Sequence, residues 1–137
     1  METMLTSELR TELVRRAFEA RKLAYAPYSN YPVGAALLTR SGYFFSGANV
    51  ENAAYPMSLC AERVAIFKAV SEGEREFVAV AVVTSNGGTP CGACRQVLAE
   101  FGQDTLVLVA DTGGRVLQES RLSELLPGAF GPSDLVK

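Results

Sequence analysis

A continuous apolar run at residues 77–84 is typical of a strand that is covered on both faces. Residues 105–110 have the same character and predict a second buried strand. Between them lie a loop at 85–90 and a predicted helix from about 91 to 101. A strand, a helix and a second strand in this order require a right-handed crossover onto one sheet. We therefore expect one mixed sheet of the α/β class.

Shorter patterns predict the other elements of the chain. A first helix is capped by Thr6 or Ser7, runs to about Ala24 and is ended by Pro27. Ser41-Gly42 indicates a tight turn between two hairpin strands. The remaining predicted elements are strands at 33–39, 43–48 and 115–118, a buried helix at 61–70 and one helical turn at 122–126.

Size and charge narrow the classes of function. A length of 137 residues suits one domain over 1–137, and 48% hydrophobic content supplies a core. The formal charge of −2 argues against a protein held on nucleic acid by phosphate neutralisation. No segment is long enough for a membrane span, and the N-terminus carries Glu2, Glu8 and Glu12 instead of the basic start of a secretory signal. A cytoplasmic location is the resulting expectation.

The chain has three cysteines, Cys60, Cys91 and Cys94, and no histidine. The lack of histidine excludes Ser-His-Asp and Cys-His routes to an activated nucleophile. In a reducing compartment, clustered cysteines are more often metal ligands or catalysts than disulfides. Cys91 and Cys94 follow Pro90 at a spacing of three, so their sulfurs lie on one face of a first helical turn.

Cys60 begins the other buried helix, so each cysteine lies near a helix N-terminus, which favours the thiolate. Three thiolates leave one position of a tetrahedral zinc open, which is typical of catalytic zinc sites and not of structural ones. The alternative is a redox pair of Cys91 and Cys94, with Cys60 as an ordinary core residue.

Glu62 and Arg63 follow Cys60 directly in the same helix. Positions two apart point in different directions on a helix, so Glu62 is expected beside the open zinc position, handling the protons of a bound water. Three thiolates and Zn²⁺ leave a net negative charge, which Arg63 can offset by donating hydrogen bonds to a thiolate. Taken alone, Glu62 would be an ordinary first-turn carboxylate, which is favourable at a helix N-terminus. The alternative for Arg63 is a surface arginine, which its apolar neighbours in the helix disfavour.

Two motifs resemble the zinc deaminase signature, Cys60-Ala-Glu62-Arg63 and Pro90-Cys-Gly-Ala-Cys94-Arg-Gln. Others over nearly the whole chain resemble the small, homotetrameric cytidine deaminases: Tyr25-Ala-Pro-Tyr-Ser, Val33-Gly-Ala-Ala, Asn49-Val-Glu-Asn52 and Leu125-Leu-Pro-Gly-Ala-Phe130. The resemblance implies a three-layer α/β/α fold with a five-stranded mixed sheet. It also implies hydrolytic deamination of cytidine and deoxycytidine to uridine and deoxyuridine, with release of ammonia.

The same resemblance assigns the residues of the reacting centre. Cys60, Cys91 and Cys94 would bind one zinc ion per subunit, and Arg63 would neutralise thiolate charge. Glu62 would take the proton of the zinc-bound water and deliver it to N3 of the base and then to the leaving amine.

The resemblance also assigns the nucleoside contacts. Asn49 and Glu51 would hydrogen-bond the ribose hydroxyls, although capping of a loop is the alternative for both. Tyr31, where the family often has phenylalanine, would stack on the base, and its hydroxyl needs a partner. Phe130 would reach into the site of a neighbouring subunit, which implies a homotetramer with shared active sites. Plain packing is the alternative for both aromatic side chains.

Other functions share parts of this pattern. A deaminase of a cytosine-containing nucleoside antibiotic would have the same zinc core, but Asn49, Glu51 and Phe130 favour the nucleoside because they supply ribose contacts. A non-catalytic zinc-stabilised module would have the cysteines, but Glu62 and the missing fourth ligand argue against it. The balanced charge offers no groove for a polynucleotide.

Overall fold

A computed structural model describes residues 3–135 of the chain. Glu2, which contributed to the acidic start of the sequence, and the outer ends of the expected 1–137 domain lie outside the described residues. Within 3–135, no helix has the length and apolar character that crossing a bilayer requires.

Five strands form one sheet in the order β2-β1-β3-β4-β5. Their bounds are Gly34–Thr39 for β1, Phe44–Ala48 for β2, Phe77–Val83 for β3, Leu106–Ala110 for β4 and Val116–Arg121 for β5. β3 and β4 pair in parallel, and the other three neighbouring pairs are antiparallel. The mixed five-stranded sheet is therefore confirmed.

Helices cover both faces of this sheet. Their bounds are Ser7–Arg21 for α1, Ala61–Ser71 for α2, Gly92–Phe101 for α3 and Leu122–Leu125 for α4, with short 3₁₀ helices at Tyr55–Met57 and Pro132–Asp134. α2 connects β2 to β3, and α3 forms the crossover between the parallel strands β3 and β4.

Alternation of side chains along the strands divides the core into two clusters. On one face, Leu37 and Val80 belong to a cluster with Ile66 of α2 and Leu98 of α3. On the other face, small side chains pack with α1; these are Ala36, Ala79, Ala81 and Ala110, against Leu13 and Ala17. The three-layer α/β/α arrangement is confirmed.

Two glycines let helices approach the sheet at backbone distance. A Cβ at Gly34 would lie 2.0 Å from the carbonyl oxygen of Ala17 in α1. A Cβ at Gly47 would lie 2.7 Å from the carbonyl oxygen of Ala61, the first residue of α2. The start of α2 is thus fixed closely against strand β2.

Two element boundaries differ from the prediction by three residues, whereas the others agree to within one residue. α1 ends at Arg21 and not near Ala24, because the N–H of Tyr25 donates to the carbonyl of Asn49 and draws the chain away from the helix. β5 continues to Arg121, past the predicted end at residue 118, because its polar residues pair with β4 at the exposed edge of the sheet. An edge strand needs little apolar character, so its sequence does not show the strand.

Candidate active site

The N-termini of α2 and α3 bring the three thiols together. Cys60 is the N-cap of α2 and Cys91 is the N-cap of α3, and neither side chain caps its own helix. Cys94 lies in the first turn of α3, on the same side as Cys91. All three sulfurs are therefore available to a common ligand.

The distances between the sulfurs fit a single zinc ion. Cys91 Sγ lies 3.9 Å from Cys60 Sγ and 3.4 Å from Cys94 Sγ, and all three sulfurs lie within 4.8 Å of one another. Sulfurs bound tetrahedrally at about 2.3 Å from zinc are about 3.8 Å apart. Cys94 is buried, Cys60 half-buried and Cys91 exposed, so the cluster lies at the wall of an opening and not inside a closed core.

Arg63 lies beside the thiol cluster, as the predicted hydrogen bond to a thiolate requires. Its Nη2 donates to Cys60 Sγ at 3.4 Å and, at 3.5 Å, to the carbonyl of Ser58. Its Nε is buried and makes no hydrogen bond within the described residues. A half-buried guanidinium with a spare buried donor suits a site that holds excess negative charge.

The thiols differ in acidity. A hydrogen bond from Cys94 and the adjacent Arg63 guanidinium lower the pKa of Cys60 to about 5. The hydrogen bond to Cys60, together with burial, raises the pKa of Cys94. Of these two thiols, Cys60 is therefore the one that ionises first. Because zinc binds thiolates, metal binding displaces the remaining thiol protons.

Glu62 is 4% exposed and lies next to Cys60 without belonging to the group of metal-binding side chains. Burial, reinforced by the charge of Cys60, raises the pKa of Glu62 to about 7. A carboxyl group with this acidity exchanges protons readily at neutral pH, in either direction. The arrangement places a carboxyl group that can carry a proton beside three thiols that can bind a metal ion.

A cavity of about 390 Å³ opens onto these groups. Cys60, Glu62 and Cys91 line it, and so do Asn49 and Glu51. This volume is within the usual range of small-molecule sites. Tyr31 and Arg63 also contribute to the wall, so the cavity unites the predicted metal, proton-transfer and nucleoside-binding positions of one chain, except for Cys94 and Phe130.

Asn49 and Glu51 are nearly buried and hold the segment between α1 and β1. Asn49 Oδ1 accepts a hydrogen bond from the N–H of Val33 at 2.9 Å, and its Nδ2 donates to the carbonyl of Tyr31 at 3.0 Å. The carboxylate of Glu51 accepts hydrogen bonds from the Ser29 hydroxyl and from backbone N–H groups of residues 28 and 29. These bonds, first that of the hydroxyl, lower the pKa of Glu51. The loop-capping role therefore exists in the structure, and both residues face the cavity as well.

The structure supplies the partner that the Tyr31 hydroxyl needs. Tyr31 Oη donates to Asn86 Oδ1 at 2.6 Å. Asn86 is a site neighbour that sequence reasoning missed, because the segment 85–90 shows only the composition of a loop. Ser29, the partner of Glu51, was missed as a contact for the same reason, although it lies within a motif of the resemblance.

Phe130 lies outside the cavity of its own chain. Its side chain is 57% exposed, and its carbonyl accepts a hydrogen bond from Gln96 Nε2 at 2.8 Å. Its predicted contact with the site of a neighbouring subunit stays a prediction.

Comparison with known proteins decides the family. The family model described as the cytidine and deoxycytidylate deaminase zinc-binding region matches residues 7–110. A cytidine deaminase of Halalkalibacterium halodurans is 52% identical over 129 residues, which cover 92% of this chain and 97% of that protein. The chain belongs to the cytidine deaminase family. A cytidine deaminase of Sporosarcina psychrophila is 48% identical over 126 residues, which cover 90% of this chain and 93% of the relative.

A solved structure agrees with this membership of the cytidine deaminase family. The crystal structure of cytidine deaminase from Burkholderia pseudomallei has a TM-score of 0.84 and 46% sequence identity, and it covers 92% of this chain and 100% of that one. Zinc is the metal of the matched family region, and Cys60, Cys91 and Cys94 are positioned to bind one ion.

The ligand set gives a prediction on metal content. Cys94→Ala should lose most of the zinc, because two remaining thiols cannot hold the ion as three can. Plasma mass spectrometry of the purified variant is expected to find well under one zinc per chain. The control is Ala93→Ser, an exposed change in the same helical turn, which should keep one zinc. A full zinc complement in Cys94→Ala would contradict the ligand set.

Proposed function

We propose that the protein catalyses the hydrolytic deamination of cytidine and deoxycytidine to uridine and deoxyuridine, with release of ammonia. The observation that carries the proposal is the position of Glu62, buried beside three convergent thiols at the wall of a nucleoside-sized cavity. A purely structural zinc site would be closed by a fourth ligand and would need no buried carboxyl group beside it. The cytidine deaminases of H. halodurans and S. psychrophila support this substrate class.

Deamination needs a nucleophile for the amine-bearing carbon, and protons must move from the attacking water to the ring nitrogen N3 and to the leaving amine. When bound, zinc supplies the Lewis acid that activates a water for attack on the amine-bearing C4 of the base. Glu62 accepts a proton from the attacking water and delivers it to N3, and afterwards carries a second proton to the leaving amine. Its burial keeps bulk water from competing for these protons and raises the pKa of the carboxyl group, which favours uptake of a proton from the attacking water.

Arg63 controls the charge around this step. Its hydrogen bond to Cys60 withdraws electron density from that sulfur, so the three thiolates would weaken the Lewis acidity of a bound zinc ion less than they would without this hydrogen bond. Arg63 therefore acts through Cys60 and not on the nucleoside.

Asn49 and Glu51 would bind the ribose with the hydrogen-bonding groups that their contacts within the loop do not occupy. Asn49 Nδ2 has two N–H groups, and the carbonyl of Tyr31 takes one. Glu51 Oε1 accepts two backbone hydrogen bonds, whereas Oε2 accepts one from Ser29 and has room for a sugar hydroxyl. Because the Glu51 carboxylate stays ionised, it is a strong acceptor for such a hydroxyl. The ring of Tyr31 supplies the face on which the base stacks.

We infer that residues 1–137 form a single catalytic domain, since the described residues pack in two clusters on one sheet.

We also infer that the enzyme is cytoplasmic, because a reducing medium keeps its three unpaired thiols available. Recovery of pyrimidine nucleosides makes pyrimidine salvage its pathway. With a formal charge of −2, the protein needs no nucleic acid partner.

Turnover of free nucleosides tests the function directly. Zinc-loaded protein is mixed in parallel with cytidine, deoxycytidine, cytosine and deoxycytidine monophosphate, and loss of the aminopyrimidine absorbance is followed. Both nucleosides should be converted, and cytosine much more slowly because it lacks the ribose. Absence of turnover with either nucleoside would refute the proposed function.

The role of Glu62 gives a sharper prediction. Glu62→Gln should retain one zinc and lose about 10²-fold to 10⁴-fold in kcat, because an amide cannot carry the proton. The matched control is Glu72→Gln, the same change at an exposed position at the end of the same helix, which should keep normal activity. Normal kcat in zinc-loaded Glu62→Gln would exclude this role.

We further propose that the enzyme is a homotetramer with shared active sites. Exposed aromatic side chains support it: Tyr28 is 53%, Tyr55 59% and Phe130 57% exposed in the single chain. Such side chains are enriched in interfaces between protein chains. Tyr55 also lines the cavity, so covering it with a neighbouring chain would complete the wall.

Light scattering and mixed assembly test this arrangement. The native mass is expected to be four times the chain mass, and Phe130→Ala is expected to raise KM. Co-expression of Phe130→Ala with Glu62→Gln should give sites in which an intact Glu62 meets an intact Phe130 from its neighbour. At cytidine concentrations well below the KM of Phe130→Ala, the expected result is a higher activity per intact Glu62 than in Phe130→Ala alone. A monomeric mass with full activity would contradict the shared site.

A further inference from the structure

Two segments that line the cavity, the one before β1 and the one after β3, meet the sheet at the same edge. Gly34 at the start of β1 pairs with Val83 at the end of β3 in antiparallel register. The segment that carries Tyr31 therefore enters the sheet beside the place where the 84–90 segment leaves it. The 84–90 segment then runs directly into Cys91. A bond between the two segments would link the aromatic wall of the cavity to the metal site.

One side-chain hydrogen bond makes this link. Tyr31 Oη donates to Asn86 Oδ1 at 2.6 Å, across 55 positions of sequence. Asn86 Oδ1 also lies 3.4 Å from the Thr84 hydroxyl, and that hydroxyl accepts a hydrogen bond from the N–H of Gly88 at 2.9 Å. Thr84 is 2% exposed, so the acceptor for Tyr31 is tied to a buried point at the end of β3.

Gly88 makes room for the Tyr31 hydroxyl. A Cβ at position 88 would lie 2.5 Å from Tyr31 Oη, closer than a Cβ atom approaches another heavy atom in a folded protein. The absence of a side chain at Gly88 thus leaves space for Tyr31 Oη, and Asn86 accepts its hydrogen bond. Two independent features of the 84–90 segment fit a tyrosine at position 31, where its hydroxyl would otherwise lack space and a partner.

We propose that Asn86 is a positioning residue for nucleoside binding, which holds the Tyr31 ring in the orientation that receives the base. The proposal rests on the proposed function. Asn86 does not line the cavity within the described residues and so acts through Tyr31. The hydrogen bond to Asn86 fixes the tip of the half-buried Tyr31 ring, so nucleoside binding has less rotamer freedom left to remove. Loss of Asn86 should therefore raise KM and leave kcat nearly unchanged.

Substitutions at Asn86 separate the hydrogen bond from side-chain size. Asn86→Leu removes the acceptor at similar volume and should raise KM for cytidine by about 2-fold to 10-fold, the range of one net hydrogen bond. Asn86→Asp keeps an acceptor oxygen and should stay within about twofold of the wild-type KM. Ser85→Ala, an exposed change in the same segment, is the matched control and should have no effect.

A double-mutant cycle identifies the partner. Tyr31→Phe keeps the ring but removes the donor, so it should raise KM about as much as Asn86→Leu. The variant with both changes should be no worse than either alone. Tyr31→Phe also serves if Asn86→Leu does not fold. A wild-type KM in the single variants, additive effects in the double variant, or a fall in kcat at unchanged KM would overturn the proposal.

Binding without turnover provides a second readout. In the Glu62→Gln background, calorimetric titration with uridine should show the same loss of affinity on Asn86→Leu and its recovery on Asn86→Asp. If wild-type protein neither turns over nor binds nucleosides, the proposed function fails and this proposal fails with it. If wild-type protein does both and Asn86→Leu is unchanged, only the role of Asn86 is refuted.

Discussion

Cys60 and Cys91 occupy the N-cap positions of two helices, and their sulfurs point to each other and not to their own helix ends. The rest of the site depends on this convergence. It requires α2 to lie against β2 at backbone distance, which Gly47 permits, and α3 to follow the buried strand β3. With both helix starts fixed, Cys94 comes within reach one turn later. Unpaired N–H groups at the two helix ends then favour the thiolates that a zinc ion needs.

The negative charge of the thiolates explains the roles of Glu62 and Arg63, which follow Cys60 in the chain. Three thiolates exceed the charge of one Zn²⁺, and the guanidinium of Arg63 lies against Cys60 to offset part of the excess. Glu62, buried beside the same negative charge, has its pKa raised to about 7. A single helical turn thus contains a thiol positioned to bind a metal ion, a buried carboxyl group suited to carry a proton, and a guanidinium counter-charge. Hydrolysis at an electron-poor carbon uses groups of these three kinds.

Local patterns predicted the parts that depend on local physics. The apolar run of β3 was enough to place a strand, and the spacing of Cys91 and Cys94 was enough to place their two sulfurs on one side of α3. The end of α1 was not predicted, because a hydrogen bond from Tyr25 to distant Asn49 decides it. The hydrogen bond from Tyr31 to Asn86 joins two segments that only the β1–β3 register brings together, so no local sequence pattern could predict it.

Three thiolates are expected to hold a zinc ion whose fourth position is left for water. X-ray absorption at the zinc edge of the metal-loaded protein measures this coordination directly. We expect three sulfur atoms at about 2.3 Å and one light atom at about 2.0 Å. Because the chain contains no histidine, that light atom should be oxygen. A shell of four sulfurs, or a shell dominated by oxygen, would contradict the open three-thiolate site.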